Sequence, residues 1–185
     1  ARTAAEKSSY HLVLLAKNQT GYRNLMQLTT KAHLEGFYYK PKVDHALLEQ
    51  YHQGLIALTA CQGGEIPSLI LQNRLQDARE SALWYKKVFG DFYLEIQRNP
   101  IAEMEKINQG LIALSRELDI PLVATNDVHY LKSEDARAHD VLLCIQTGKT
   151  VNTSGRMKFQ TDQLYFKSPA EMARIFPYPE VLAAS

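Results

Sequence analysis

Short apolar runs alternate along this chain with longer segments in which apolar residues recur every three or four positions. A run of four to six apolar residues suits a buried strand, and the longer periodic segments are typical of amphipathic helices. Alternation of the two is the pattern of an α/β fold, in which helices cover a sheet. We therefore predict strands at residues 11–16, 55–60, 92–96 and 122–125.

Capping and stop signals bound the predicted helices. Asp44 and Ser133 are placed to be N-caps, and Ser168 to Glu171 form a capping box with proline at the first helical position. Gly90 and Gly148 follow helical segments, where glycine commonly ends a helix. The predicted helices cover residues 21–34, 44–51, 75–89, 103–118 and 133–145, and a further one starts at 168.

One six-residue sequence occurs twice, at Gln53–Leu58 and at Gln109–Leu114. The first copy leads into a glycine-rich turn and is predicted to be a strand. The second copy lies within a segment of helical spacing, where Gly110 costs the helix about 1 kcal/mol relative to alanine. We interpret the similarity as chance and predict different structures for the two copies.

Composition narrows the class of protein. The 185 residues are 45% apolar and 22% charged, as in one α/β domain or most of one, and the net charge of +1 gives no strong field for gathering phosphate backbones. Cys61 and Cys144 are too few for a disulfide scaffold, which predicts a reducing cytoplasm. No apolar run approaches the roughly 18 to 20 residues needed to cross a bilayer, so no membrane association is predicted. Neither a GxxxxGK[ST] phosphate loop nor a GxSxG elbow occurs.

Both ends of the chain suggest a domain fragment. Residues 1–9 form a polar lead, and residues 179–185 have the pattern of the first turns of a helix, with Pro179 at its first position. A sheet with missing strands has open edges, which favour aggregation. We therefore expect the isolated fragment to be poorly soluble or oligomeric.

The segment Thr125–His129 directly follows an apolar run and carries the sharpest chemical signal. Asp127 and His129 are two residues apart, so on extended backbone their side chains point to one face. Ligands of α/β folds gather at the carboxyl ends of strands, where a carboxylate and an imidazole can hold Zn²⁺, Mn²⁺ or iron. In the alternative interpretation Asp127 caps a turn and His129 packs beside Tyr130.

Cys61 also follows a predicted strand, next to two glycines that permit close approach of a bound group. As a thiolate it can bind a metal, and as a thiol it is a small buried residue. His11 stands at the start of an apolar strand, where an isolated histidine is usually structural. The remaining histidines lie on helical patterns and are predicted to be structural: His33, His45, His52 and His139.

Six blocks of the sequence, in this order, resemble the polymerase-and-histidinol-phosphatase (PHP) domain of the bacterial DNA polymerase III alpha-subunit family, the C-family of replicative polymerases. The resemblance covers nearly the whole chain. The blocks are residues 11–18, 20–25, 54–65, 93–97, 123–130 and 134–139.

This resemblance implies a distorted seven-stranded β/α barrel with a cluster of metal ligands at one mouth. Carried over residue by residue, His11, Cys61, Asp127 and His129 fall on ligand positions of the family, with Zn²⁺, Mn²⁺ or Mg²⁺ as the cation. His11 begins its predicted strand while Cys61 and Asp127 end theirs, so either that strand runs in the opposite direction or its predicted boundary is wrong. Further ligands of the family, including an HxH-type motif, would precede Ala1.

The resemblance also implies a function. Members with an intact metal cluster show metal-dependent 3′ to 5′ exonuclease activity, and the presence of His129 places this chain with them. DNA and other holoenzyme subunits, such as the sliding clamp and the exonuclease subunit, are the implied partners, and the polymerase aspartates would lie beyond Ser185. Asp127 is expected to ligate or bridge metal, and no general base can be named. The alternatives are a structural domain that braces the polymerase and docks partners, or a free-standing phosphoesterase.

Overall fold

The computed structural model describes residues 9–100 and 102–184 of the chain, without the side chains of residues 102 and 180. These residues form a four-stranded sheet with helices packed against it, which confirms the predicted α/β class. The strands are β1 (Val13–Ala16), β2 (Leu55–Leu58), β3 (Phe92–Gln97) and β4 (Leu122–Thr125). The helices are α1 (Gln19–Leu34), α2 (His45–Gln50), α3 (Glu65–Leu71), α4 (Leu75–Phe89), α5 (Ala102–Leu118), α6 (Ala136–Thr147), α7 (Pro169–Ile175) and α8 (Pro179–Ala183).

The sheet has the order β1-β2-β3-β4 and is mixed. Strands β2, β3 and β4 run parallel, while β1 pairs antiparallel to β2 with Val13 opposite Leu58 and Ala16 opposite Leu55. The first strand therefore runs in the opposite direction, as one of the two alternatives predicted, and it begins at Val13, two residues later than predicted. The start of β1 lies beside the carboxyl end of β2, so a residue that precedes β1 and a residue that follows β2 come together.

The main core lies between one face of the sheet and the helices α3, α4 and α5. Alternate residues of β3, namely Phe92, Leu94 and Ile96, are almost completely buried there. Helix α5 approaches α3 closely at Gly110, where an added Cβ would lie 2.7 Å from Cγ2 of Ile70. A methyl group at this position would have to displace the Ile70 side chain, so glycine allows the close approach despite its low helix propensity.

The opposite face of the sheet borders a cavity of about 750 Å³. Its lining combines residues of β2, β3 and β4 with residues of α7 and α8. Tyr93 lines this cavity, and because strand side chains alternate, Glu95 and Gln97 share its face of the sheet. The sheet therefore separates an apolar core on one side from a partly open surface on the other.

Most boundaries predicted from the sequence are confirmed. Asp44 caps α2 by accepting a hydrogen bond from the amide of Leu47, and Ser168 caps α7 in the predicted capping box. The two copies of the repeated sequence differ as predicted, since the first contains β2 and the second lies within α5.

Two local predictions need correction. Ser133 does not cap α6: residues Ser133–Asp135 form a 3-10 turn, and the Ser133 hydroxyl donates to Asp162 at 3.4 Å. Helix α3 was not predicted, because its seven residues are too short to show a helical period and directly follow a glycine-rich turn. Its residues Ile66, Leu69 and Ile70 are buried, so tertiary packing stabilises it.

Candidate metal site

His11 and Cys61 lie side by side although 50 positions separate them. The imidazole Nδ1 of His11 is 3.5 Å from Sγ of Cys61. The backbone fixes this contact, because the His11 amide donates a 2.9 Å hydrogen bond to the carbonyl of Gly63. The turn after β2 is tight at Gly64, where an added Cβ would lie 2.0 Å from the carbonyl oxygen of Thr59. The antiparallel course of β1 and this glycine turn together create the pair.

Burial raises the pKa of the Cys61 thiol above its usual value, and the negative charges of Asp127 and Glu95 raise that pKa further. All three causes disfavour a thiolate and outweigh the backbone hydrogen bonds that lower the pKa. A cation placed at this end of the sheet reverses the effect, because it favours the deprotonated sulfur and attracts both carboxylates. Without a cation, the environment of Cys61 therefore disfavours a free thiolate nucleophile.

Asp127 and His129 form a second pair in the segment that leaves β4. Oδ1 of Asp127 is 3.5 Å from Nε2 of His129, and both side chains are about two-thirds buried. The His129 amide donates to the carbonyl of Leu164 at 2.8 Å. The Asn126 side chain donates to the carbonyls of Gln163 and Tyr165 at 3.1 and 2.6 Å. Residues 163–165 therefore hold the Asp127–His129 segment in its extended form.

Aromatic rings surround His129. The ring of Phe159 lies 4.7 Å from the His129 ring and the ring of His139 lies 5.4 Å from it, measured between centroids. His139 was predicted to be structural, and its place on α6 beside His129 could not be recognised from helical spacing. A cavity of about 570 Å³ borders His139, with Arg137 and Lys158 also in its lining.

Three further histidines make contacts with other groups. His33 and His52 each bond to a nearby backbone carbonyl oxygen within their own helical segments. His45 stacks on Trp84 with ring centroids 3.9 Å apart and lies 3.4 Å from a carboxylate oxygen of Glu65.

The four predicted ligands thus occur as two pairs at one end of the sheet. Nitrogen, sulfur and carboxylate oxygen donors match the ligand types of a divalent transition metal such as Zn²⁺. Within residues 9–100 and 102–184, however, no three His, Cys, Asp or Glu side chains are close enough together to hold a metal ion. The donor types fit a cation, and the geometry supplies two incomplete halves of a site.

A buried polar network near the site was missed from the sequence. Glu95 is only 6% exposed, and its Oε1 accepts hydrogen bonds from Thr125 Oγ1 and from Gln97 Nε2. The Glu95 amide donates to Thr59 Oγ1 at 2.8 Å. The signal in the sequence is a glutamate and a glutamine at alternate positions of a strand whose other residues are apolar or aromatic.

Comparison with known proteins identifies the kind of domain. Residues 2–99, just over half of the chain, match the family model of the PHP domain. The chain belongs to the PHP domain family. The matched part of this PHP domain contains His11 and Cys61 and ends before Asp127 and His129.

Several curated relatives cover nearly all of this PHP domain, and each is named DNA polymerase III subunit alpha. The protein from Borreliella burgdorferi is 52% identical over 95% of this chain, and that from Treponema pallidum is 50% identical over 94% of it. The protein from Deinococcus radiodurans is 46% identical over 95%. The chain spans only 13% to 16% of the length of these relatives. Among the described residues, the structure contains no helix that is long and apolar enough to span a membrane.

Proposed function

We propose that this PHP domain is part of a bacterial replicative DNA polymerase and that it binds a divalent cation. The names of relatives 46% to 52% identical over nearly the whole chain support the first part of the proposal. The contact between His11 and Cys61 carries the second part, since it joins two predicted ligands that are distant in sequence. DNA synthesis itself would be the work of other regions of the longer protein.

Four residues would hold the cation: His11, Cys61, Asp127 and His129. A bound divalent cation supplies Lewis-acid chemistry, because it lowers the pKa of a coordinated water and neutralises charge on a phosphate. Asn126 and the backbone of Leu164 orient Asp127 and His129 for this role. Phe159 packs against the His129 ring and restricts its rotation.

The reaction that we propose is metal-dependent hydrolysis of the phosphodiester at a 3′ end of DNA. The cavity next to His139 contains Arg137 and Lys158, which can neutralise phosphates, together with the carboxylates of Asp140 and Asp162. We further propose that the whole chain is one domain, that its four strands belong to a distorted seven-stranded barrel, and that the protein is cytoplasmic. The cavity on the open face of the sheet supports the barrel, and the free thiols of Cys61 and Cys144 agree with a reducing compartment.

The test is the Asp127→Asn substitution in the full-length protein that contains this domain. Metal retained after dialysis against trace Zn²⁺ or Mn²⁺ should fall, and release of nucleotides from a 3′-labelled primer should fall by at least about 100-fold, as expected when a metal ligand is impaired. Asp77→Asn on α4, whose carboxylate pairs with Arg74, is the matched control and should change neither quantity.

The main alternative is a structural domain that braces the polymerase and docks subunits such as a sliding clamp or an exonuclease. Under that alternative Asp127→Asn would lower the melting temperature and leave both metal content and primer degradation unchanged. The two proposals therefore differ in measurements made on a single purified variant.

A further inference from the structure

Glu95 presents a buried carboxylate with one oxygen that lacks a partner. Its Oε1 accepts two hydrogen bonds, whereas Oε2 is buried and has no hydrogen-bond partner among the described residues. Burial of a charged oxygen without a partner is costly, so such atoms usually mark the place of an ion or a water. The side-chain amide oxygen of Gln97, two residues further along β3, is also buried and has no hydrogen-bond partner among the described residues.

The position of Glu95 relates this oxygen to the metal site. Glu95 pairs with Val123 in the register of β3 and β4, and Gln97 pairs with Thr125, the last residue before the segment that carries Asp127. On its other side the Glu95 amide bonds to Thr59, two residues before Cys61. Glu95 therefore lies between the strand ends that carry the two ligand pairs.

Glu95 and Asp127 place two carboxylates toward the same end of the sheet. Thr125, two residues before Asp127, donates a hydrogen bond to Glu95. Carboxylates placed close together repel each other without a cation and strengthen the binding of one.

We propose that Glu95 is the buried counter-charge of the divalent cation held by the two ligand pairs, and that it raises cation affinity through its charge and without direct ligation. This inference rests on the proposed metal site. Hydrogen bonds from Thr125 and Gln97 hold the Glu95 carboxylate in place.

The experiment compares Glu95→Gln with the unchanged full-length protein by competition of Zn²⁺ against a chromophoric chelator. Glutamine keeps the size of the side chain and its acceptor oxygen for Thr125 but removes the charge. We expect Zn²⁺ to bind about 10- to 100-fold more weakly, the range seen when a residue that supports metal ligands is changed. The melting temperature of the metal-free protein should stay equal or rise, because a neutral isostere replaces an uncompensated buried charge.

Two further variants make the test specific. Glu95→Asp keeps the charge and shortens the side chain, so it should retain most of the affinity. Glu117→Gln removes a charge from the exposed part of α5, where Glu117 pairs with Arg79, and should have no effect. If shape and not charge were important, Glu95→Asp would lose as much affinity as Glu95→Gln, which would overturn the inference.

The remaining outcomes are also decisive. Unchanged Zn²⁺ affinity in Glu95→Gln would overturn the inference and leave the metal site intact. Failure of Glu95→Gln to fold would overturn it as well, because the charge role predicts that glutamine is tolerated in the metal-free protein. Absence of bound Zn²⁺ from the unchanged protein would instead refute the proposed metal site, and the role of Glu95 with it.

Discussion

The two ligand pairs are built in opposite ways. His11 and Cys61 are brought together by sheet pairing across 50 residues, whereas Asp127 and His129 are neighbours on one short segment. The first pair depends on the direction of β1 and on a tight glycine turn. The second pair depends on backbone contacts with residues 163–165. Because the two pairs depend on different contacts, a single substitution should be able to disrupt one pair and leave the other intact.

The largest effect should come from Gly64→Ala, which breaks the tertiary pair. The added methyl group would lie 2.0 Å from the backbone oxygen of Thr59, so the turn between β2 and α3 must move. We expect a loss of about 2 to 3 kcal/mol in the free energy of unfolding, as for overpacked sites, measured by urea denaturation. Zn²⁺ binding should weaken even where the protein stays folded, because Cys61 moves away from His11.

Gly155→Ala is the control for this variant. Gly155 has a positive φ of 67° but open space around it, so the substitution costs only about 1 kcal/mol of backbone strain. Equal destabilisation by the two variants would contradict the steric explanation for Gly64.

Asn126→Ala should weaken the local pair by a smaller amount. It removes both hydrogen bonds that tie this segment to the carbonyls of Gln163 and Tyr165. We expect a loss of about 1 to 2 kcal/mol, with faster hydrogen exchange of the His129 amide. Asn24→Ala removes a single exposed bond to the carbonyl of Gln53 and should cost less than about 0.5 kcal/mol. If Asn126→Ala also disrupted the contact between His11 and Cys61, the two ligand pairs would be coupled.

The smallest predicted effect is on how the stability of the fold changes at acidic pH. Hydrogen bonds from the side chain and backbone of Ser168 and from Tyr165 lower the pKa of Glu171 from 4.5 to about 2. Because the folded pKa lies below the unfolded value, the carboxylate stabilises the fold above pH 4.5, and this contribution is lost as the pH falls from 4.5 to 2. Glu171→Gln should therefore show a smaller decrease in melting temperature across that range.

Ser168→Ala should reduce the same acid dependence in part, since the Ser168 side chain is the largest cause of the lowered pKa. Tyr165 connects Glu171 to the segment that holds His129, so acid should loosen the local pair before the tertiary pair. An acid dependence identical in Glu171→Gln and the unchanged protein would refute this assignment.

Much of the fold could be predicted from the sequence. The four strands are found within two residues of their predicted ends, because buried runs and turn residues act over short distances. The short helix α3 could not be predicted, since its formation depends on burial of Ile66 and Ile70 in the core. The environment of Glu95 was also missed, because an isolated glutamate in a strand gives no sign of which residues will enclose it.

By itself, the sequence determined the local features of this protein: the α/β alternation, the capping box at Ser168 and the adjacency of Asp127 and His129. The tertiary structure decided the direction of β1, and with it the contact between His11 and Cys61. It also decided that His139 lies against His129 and that one oxygen of Glu95 is buried without a hydrogen-bond partner among the described residues. The physical reason is the distance along the chain over which each interaction acts. Capping and periodicity act within a few residues, whereas strand direction and burial follow from packing the whole sheet against its helices.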